Sequence, residues 1–381
     1  MTDWNTMSDA DFRAEVRQFF EAEYPEELRN LPHRPTFAEI RHWHEKIHAK
    51  GWVAPAWPTE HGGMGLEAAK LLIFYDEQQR WGVVRGRDMG VQMVGPLITK
   101  FGTQAQKDYW LARILSCEDI WCQGYSEPGA GSDLASLRTS AVIDGDDFII
   151  NGQKIWTTMA HDASHIFMLV RTDPDAPKKQ QGISFVLMDM DQPGVTVRKI
   201  TTLAGEDEFC EVFFDDARTP VANMVGEINN GWSMAKALLG FERIFIGSPN
   251  LAQNALNQLE VFARGRGALD DPQFRDRFAK LALDVEDHAA LYTRFADQLK
   301  RGETLGADVS MLKIWVTETY QRISELMIEV AGPDGATIGP LQVGNVDIDV
   351  LASFYKARPT TIYGGSNEIQ RNILSKAVLG L

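Results

Sequence analysis

The hydrophobic period of this chain changes twice, from helical to alternating and back, and that α, β, α order limits the folds open to it. Ser8 with Asp11 resembles a capping box, and Phe12, Val16, Phe19 and Phe20 then share one helical face. Ile40, Trp43 and Ile47 mark a second helix closed by Gly51. LEAAKLLIFYDEQQRW, residues 66–81, predicts a third that stops at Gly82. From Trp121 the pattern becomes short strands. TSAVIDGDDFIING carries an Asp144-Gly145 turn signal, and HIFMLV, GISFVLMDM, GVTVRKI and FCEVFFDDA follow. After Gly231 helical periodicity returns to about residue 331, then comes the loop GPDGATIGP and two shorter helical pieces. The prediction is an α+β multidomain chain: a helical domain over 1–120, a β domain over 121–227 and a helical domain over 228–381.

Composition narrows the function classes. The net charge of −15 is spread along the 381 residues, which disfavours phosphate backbones and anionic lipid as partners. No apolar run approaches the roughly 18 residues of a membrane span, and MTDWNTMSDADF lacks the basic-then-apolar order of a secretion signal. The expected location is cytoplasmic. Cys117, Cys122 and Cys210 form no C-x-x-C pair and read as buried apolar thiols.

Five stretches could carry chemistry. His44-Glu45-Lys46-Ile47-His48 matches H-E-x-x-H, which on a helix sets two imidazoles on one face for zinc with Glu45 as base. The residue where an extended pattern needs a ligand is Ala54, so a solvated helical face is the expected reading and a zinc hydrolase the alternative. YSEPGAGSDLASLRT, residues 125–139, combines close-approach backbone at Pro128, Gly129 and Gly131 with polar Ser126, Ser132 and Asp133. QKIWTT, residues 153–158, adds an aromatic plane at Trp156 and hydroxyls at Thr157 and Thr158, against which a flat heteroaromatic ring could rest. TIYGGSNEIQRNIL, residues 361–374, leads from paired glycines into a helix capped by Ser366 or Asn367. Finally, LLGFERIFIGSP, residues 238–249, puts Glu242 and Arg243 inside an apolar helical run, where a carboxylate is costly to bury.

The loop YSEPGAGSD, the WTT strand and the IYGGSNEIQR segment together resemble the acyl-CoA dehydrogenase family, and the α, β, α order matches its architecture of a helical N-terminal domain, a middle β-barrel and a C-terminal four-helix bundle. The resemblance implies FAD as cofactor and α,β-dehydrogenation of an acyl-CoA thioester, with the hydride passing to flavin N5. Most members carry the catalytic glutamate directly after the tyrosine of the C-terminal motif, where this chain has Gly364. Some carry it on the helix after the β domain, and Glu242 falls there. Glu242 is therefore the implied base, and the backbone N–H of Gly364 the implied donor to the thioester oxygen.

The same resemblance implies cofactor contacts from Tyr125, Ser126, Gly131, Ser132, Trp156 and Thr158, with Ser366 and Glu368 toward the far end of FAD. It implies substrate contacts from Ser132, Arg243, Tyr363 and Gly364, and spare volume at Gly364 and Gly365 for branched or ring-bearing acyl groups. Electron-transfer flavoprotein is the implied electron acceptor. The chain departs from the family at two places: R-x-x-F-G is replaced around FARGRGALDDPQF, and Q-x-x-G-G by Glu329-Val330-Ala331-Gly332-Pro333. These features are similar to the bacterial branch containing the large subunit of pimeloyl-CoA dehydrogenase and steroid side-chain enzymes. A homo-dimer or homo-tetramer and a hetero-tetramer with a related subunit are both open, as is a noncatalytic acyl-CoA- and FAD-binding subunit.

Overall fold

The computed structural model describes residues 3–29, 31, 33–84 and 89–381, apart from the side chains of 239–245. The chain divides into two compact units, one comprising the chain through Thr202 together with Glu206–Leu238, the other Leu203–Gly205 with Leu239–Leu381.

The first unit opens with helices α1 (Asp9–Glu23), α2 (Phe37–Ala49), α3 (Ala68–Arg80), α4 (Gly95–Phe101) and α5 (Gln104–Ser116). Ser8 caps α1 by accepting from Asp11 N, and the predicted face is the buried one through Phe12, Val16 and Phe20. Gly51 and Gly82, at φ +75° and +73°, end α2 and α3 in the left-handed conformation that glycine adopts without strain. Glu77 of α3 is buried among Arg13, Arg17 and Arg80. Burial raises its pKa, yet the three guanidiniums outweigh it and hold the carboxyl at about 2.

Eight strands follow: β1 (Trp121–Gly124), β2 (Ser140–Asp144), β3 (Asp147–Thr158), β4 (His165–Arg171), β5 (Ile183–Asp189), β6 (Val195–Ile200), β7 (Phe209–Pro220) and β8 (Met224–Val225). They form one sheet in the order β6-β7-β3-β2-β4-β5-β8, with β1 parallel to β4. The predicted hairpin closes at Asp144 opposite Asp147, with Gly145 at φ +64°. The apolar runs of β4 and β5 are explained by two buried faces. Phe167, Leu169, Phe185 and Leu187 join one core with Leu97, Ile98, Trp110 and Leu111, while Ile166, Met168, Val186 and Met188 join a second with Phe148, Ile150 and Val212. The three cysteines are buried thiols.

Helix α6 (Gly231–Ile246) is followed by α7 (Asn250–Gly265), α8 (Pro272–Lys300) and α9 (Ser310–Ala331). A small hairpin of β9 (Leu341–Val343) and β10 (Val346–Ile348) then precedes α10 (Val350–Ala357) and α11 (Asn367–Leu374). In the second unit α9 is central, its Val316, Tyr320, Ile323 and Met327 packing with Leu256, Leu259, Phe262, Val285 and Ala357. The hairpin is absent from the sequence prediction, although Gly344-Asn345 is a recognised turn signal. Among the described residues no helix is long and apolar enough to cross a membrane.

Candidate functional site

Strand β3 sets the candidate site of the first unit. Phe148, Ile150 and Lys154 are fully buried at alternate inward positions, so a regular strand would turn Trp156 inward as well. It does not. The register against β7 slips between Lys154, opposite Val212, and Thr157, opposite Cys210, so two β3 residues face one. Trp156 sits in this bulge at φ +60° and is 57% exposed, its indole meeting the edge of Phe209 at 6.1 Å between centroids. Thr157 takes the inward position instead, with its buried Oγ1 lacking a hydrogen-bond partner among the described residues. A non-glycine residue held left-handed costs on the order of 1–3 kcal/mol and persists where the surroundings enforce it, often at functional sites.

The loop from Tyr125 to Thr139 runs beside this bulge. Ile155 N donates to Ser126 O at 2.9 Å, which fixes the half-buried Ser126 next to the indole's strand. Glu127 and Ala130 exchange backbone hydrogen bonds at 3.0 Å, closing the turn around Pro128 and Gly129. Among the described residues nothing lies within 4 Å of a side-chain carbon built at Gly129 or Gly131, so on that side the turn's backbone is clear of them. Ser132 is exposed, and Asp133 bonds Ser136 and Lys179. Tyr125 is buried against Phe167.

Beneath the loop lies a charged pair that sequence reasoning missed. Glu127 accepts from Lys154 Nζ at 2.8 Å and from the backbone N–H groups of Arg138 and Thr139 at 2.6 and 2.9 Å. Lys154 Nζ also donates to Tyr125 O at 3.3 Å and Leu169 O at 2.7 Å. Burial lowers the lysine pKa to about 8 against the opposing pull of Glu127. Burial pushes the Glu127 carboxyl upward, but the lysine charge and the hydrogen bonds prevail and its pKa is lowered. The signal was available: Lys154 is a charge at an inward position of a period-two strand.

The other unit carries a second group of candidate residues of its own. Gly364 and Gly365 both have left-handed φ, +63° and +80°, as the paired glycines require. Ser366 is the N-cap of α11, accepting from Ile369 N, whereas Asn367 is turned inward. Asn367 Oδ1 accepts from Lys313 Nζ at 2.8 Å, and its Nδ2 donates to Thr317 Oγ1 and Glu318 Oε1, each at 3.1 Å. Gln370 Nε2 donates to Gly364 O at 3.1 Å, bracing the glycine turn. Ile362, Tyr363 and Glu368 are exposed. Hydrogen bonds from its own N–H and from Ser366 hold the Glu368 carboxyl below the usual carboxylate range.

Two sequence expectations change here. Part of the spare volume expected at Gly364 is occupied by Ile246, whose Cδ1 would lie 2.6 Å from a side-chain carbon there. His44 is buried rather than on a solvated face, with Nε2 2.9 Å from Leu115 O and Nδ1 3.6 Å from Cys117 Sγ, while Glu45 and His48 are exposed. With both ring nitrogens so engaged, H-E-x-x-H is not a zinc site, and no cluster of three His, Cys, Asp or Glu among the described residues is placed to hold a metal. Glu329, which stands where the family has glutamine, is spent on Arg277 at 2.6 and 2.8 Å. Glu242 and Arg243 lie on α6, but their side chains fall outside the described residues.

Three family models match the chain: Acyl-CoA dehydrogenase, N-terminal domain, over residues 6–118; middle domain, over 122–217; and C-terminal domain, over 229–379. Acyl-CoA dehydrogenase IpdE1 of Mycobacterium tuberculosis is 39% identical over 384 residues, covering 97% of each chain. Among solved structures, one described as Tcur3481-Tcur3483 steroid ACAD superposes with a TM-score of 0.86 at 32% identity, covering 98% of this chain and 97% of its own. The ChsE4-ChsE5 complex from Mycobacterium tuberculosis gives a TM-score of 0.81 at 31% identity, with coverage of 98% and 97%.

Proposed function

This chain belongs to the acyl-CoA dehydrogenase family and is an FAD-dependent oxidoreductase acting on acyl-CoA, and from that premise we propose that it converts an acyl-CoA thioester to the 2-enoyl-CoA with Glu242 as the base. The observation that carries this reading is the packing of Gly364 against Ile246. Ile246 stands one turn beyond Glu242 on α6, and positions four apart share a helix face. Gly364 sits at positive φ, where any side chain is strained, and a glutamate there would have to displace the Ile246 methyl. The helix acid is left to take the α-proton.

That proton is weakly acidic, so its removal needs a base with a raised pKa and a hydrogen bond to the thioester oxygen as charge develops there. The apolar run around Glu242 supplies the first and the Gly364 N–H the second. Bound FAD supplies the hydride acceptor. The residues of the first unit fit its ring: Trp156 offers an exposed plane in an enforced left-handed conformation, and the half-buried Ser126 and Thr158 offer polar groups beside it. Gly131 and Ser132 continue that surface with Tyr125 buried beneath it; by the family resemblance Ser366 and Glu368 are assigned to the far end of FAD, and Ser132, Arg243, Tyr363 and Gly364 to the substrate.

The steroid ACAD relative supports a ring-bearing or branched acyl group; the argument from spare volume at Gly364 is weakened by Ile246. The ChsE4-ChsE5 relative and the replaced adenine-side motifs favour a second, related subunit, and electron-transfer flavoprotein is the proposed acceptor. Titrating the yellow holoprotein anaerobically with straight-chain, branched and ring-bearing acyl-CoA thioesters tests the reading. Bleaching of the flavin band by at least one branched or ring-bearing thioester is expected, and no bleaching by any of them, with or without a related subunit, contradicts it.

A further inference from the structure

Lys154 Nζ draws its three acceptors from three places: Tyr125 O just before Ser126, Glu127 Oε1 just after it, and Leu169 O on the neighbouring strand β4. The same lysine is two residues from Trp156. One ammonium therefore brackets Ser126 on both sides and ties it to the strand that carries the indole. Glu127 extends the hold to the loop's other end through the N–H groups of Arg138 and Thr139. Arg171 completes it by donating to Ala135 O at 2.6 Å and Lys179 O at 2.5 Å. The charged groups of this base are spent on the loop's backbone, on each other and on the neighbouring carbonyls of Leu169 and Lys179.

Buried ion pairs are a weak source of stability, because apolar residues of similar volume often serve the fold as well or better. What such a pair supplies here is geometry. We propose that Lys154, paired with Glu127, is a positioning residue for FAD: it fixes the spacing between the Ser126 loop and the Trp156 bulge, and so sets how tightly the flavin is held. The inference rests on the reading that these two segments form the flavin cradle. Binding surfaces lose affinity when their supporting shell lets them drift by about 1 Å, and without Nζ the carbonyls of Tyr125 and Leu169 lose their donor.

The test separates holding the fold from holding the cofactor. FAD affinity is read from flavin fluorescence on release, and stability from the urea midpoint of the FAD-free protein. Glu127→Gln/Lys154→Met removes both buried charges and is expected to keep a midpoint near wild type while binding FAD about tenfold more weakly, the scale of one lost charge-assisted hydrogen bond. Lys154→Arg keeps the charge but spreads its donors over a wider planar head, and is expected to weaken FAD binding with the midpoint unchanged. Wild-type affinity in either folded variant overturns the proposal, since the pair then serves folding alone. Trp156→Ala is the control: if it leaves FAD affinity unchanged, the cradle reading itself falls and takes this inference with it.

Discussion

Two turns of this protein are braced by a buried lysine, Lys154 under the Ser126 loop and Lys313 under the Gly364–Ser366 turn, and their partners differ. Lys154 faces a full carboxylate, Glu127, at 2.8 Å. Lys313 faces the neutral amide of Asn367 at 2.8 Å, while Glu318 and Glu368 act on it only through space. Burial lowers both lysines to about 8, each against the pull of nearby acids. A compensated pair is costly to break on one side, because the survivor is a buried charge with no counter-ion. A lysine bonded to an amide leaves behind only a neutral acceptor. The first turn should therefore be rigid but brittle, the second more forgiving.

The largest expected effect comes from breaking the compensated pair. Lys154→Met should cost about 3–5 kcal/mol of stability by leaving Glu127 buried and alone, read as a lower urea midpoint at pH 7. Lys313→Met should cost less, about 1–3 kcal/mol for an unsatisfied Asn367 carbonyl; an equal or larger loss than at Lys154 would break the comparison.

A pH series sharpens it. Each lysine sheds its proton near pH 8 in the folded state but near its ordinary 10.5 when unfolded. Between those values the unfolded chain binds more protons, so stability should rise with pH, by at most about 1.4 kcal/mol per pH unit for each lysine. The burial penalty is present in full below pH 8 and is relieved above it. Either methionine variant should flatten the rise measured by urea unfolding from pH 8 to 10. The smallest effect is at the bulge: Trp156→Gly should relieve the left-handed strain and change stability by only about 1 kcal/mol, in the stabilising direction, while weakening FAD binding.

The regular elements were legible because each obeys one period. Phe12, Val16 and Phe20 on α1 and the Asp144-Gly145 hairpin follow from spacing and turn chemistry alone. The motif segments were legible as loops of unusual composition. What escaped lies where one rule overrides another. The β3 bulge turns Trp156 outward against strict alternation, and no residue of QKIWTT announces it. Lys154 and Lys313 occupy positions that periodicity assigns to apolar residues, so the pattern counts them as interruptions, although each anchors a turn. Gly364 shows the converse: a missing side chain suggested a void, but packing density filled part of it with Ile246 from a distant helix. H-E-x-x-H was legible as a pattern and misleading as chemistry, because His44 is used inside the helical core.

The central claim is that the acid on α6, not the C-terminal turn, takes the α-proton. The direct test is rapid anaerobic mixing of the Glu242→Gln holoprotein with an acyl-CoA that bleaches the wild type, following the flavin band. The amide keeps size and packing but accepts no proton, so the account predicts unchanged FAD content and a rate of flavin reduction lower by about 10² to 10⁴. Reduction at near the wild-type rate would contradict it.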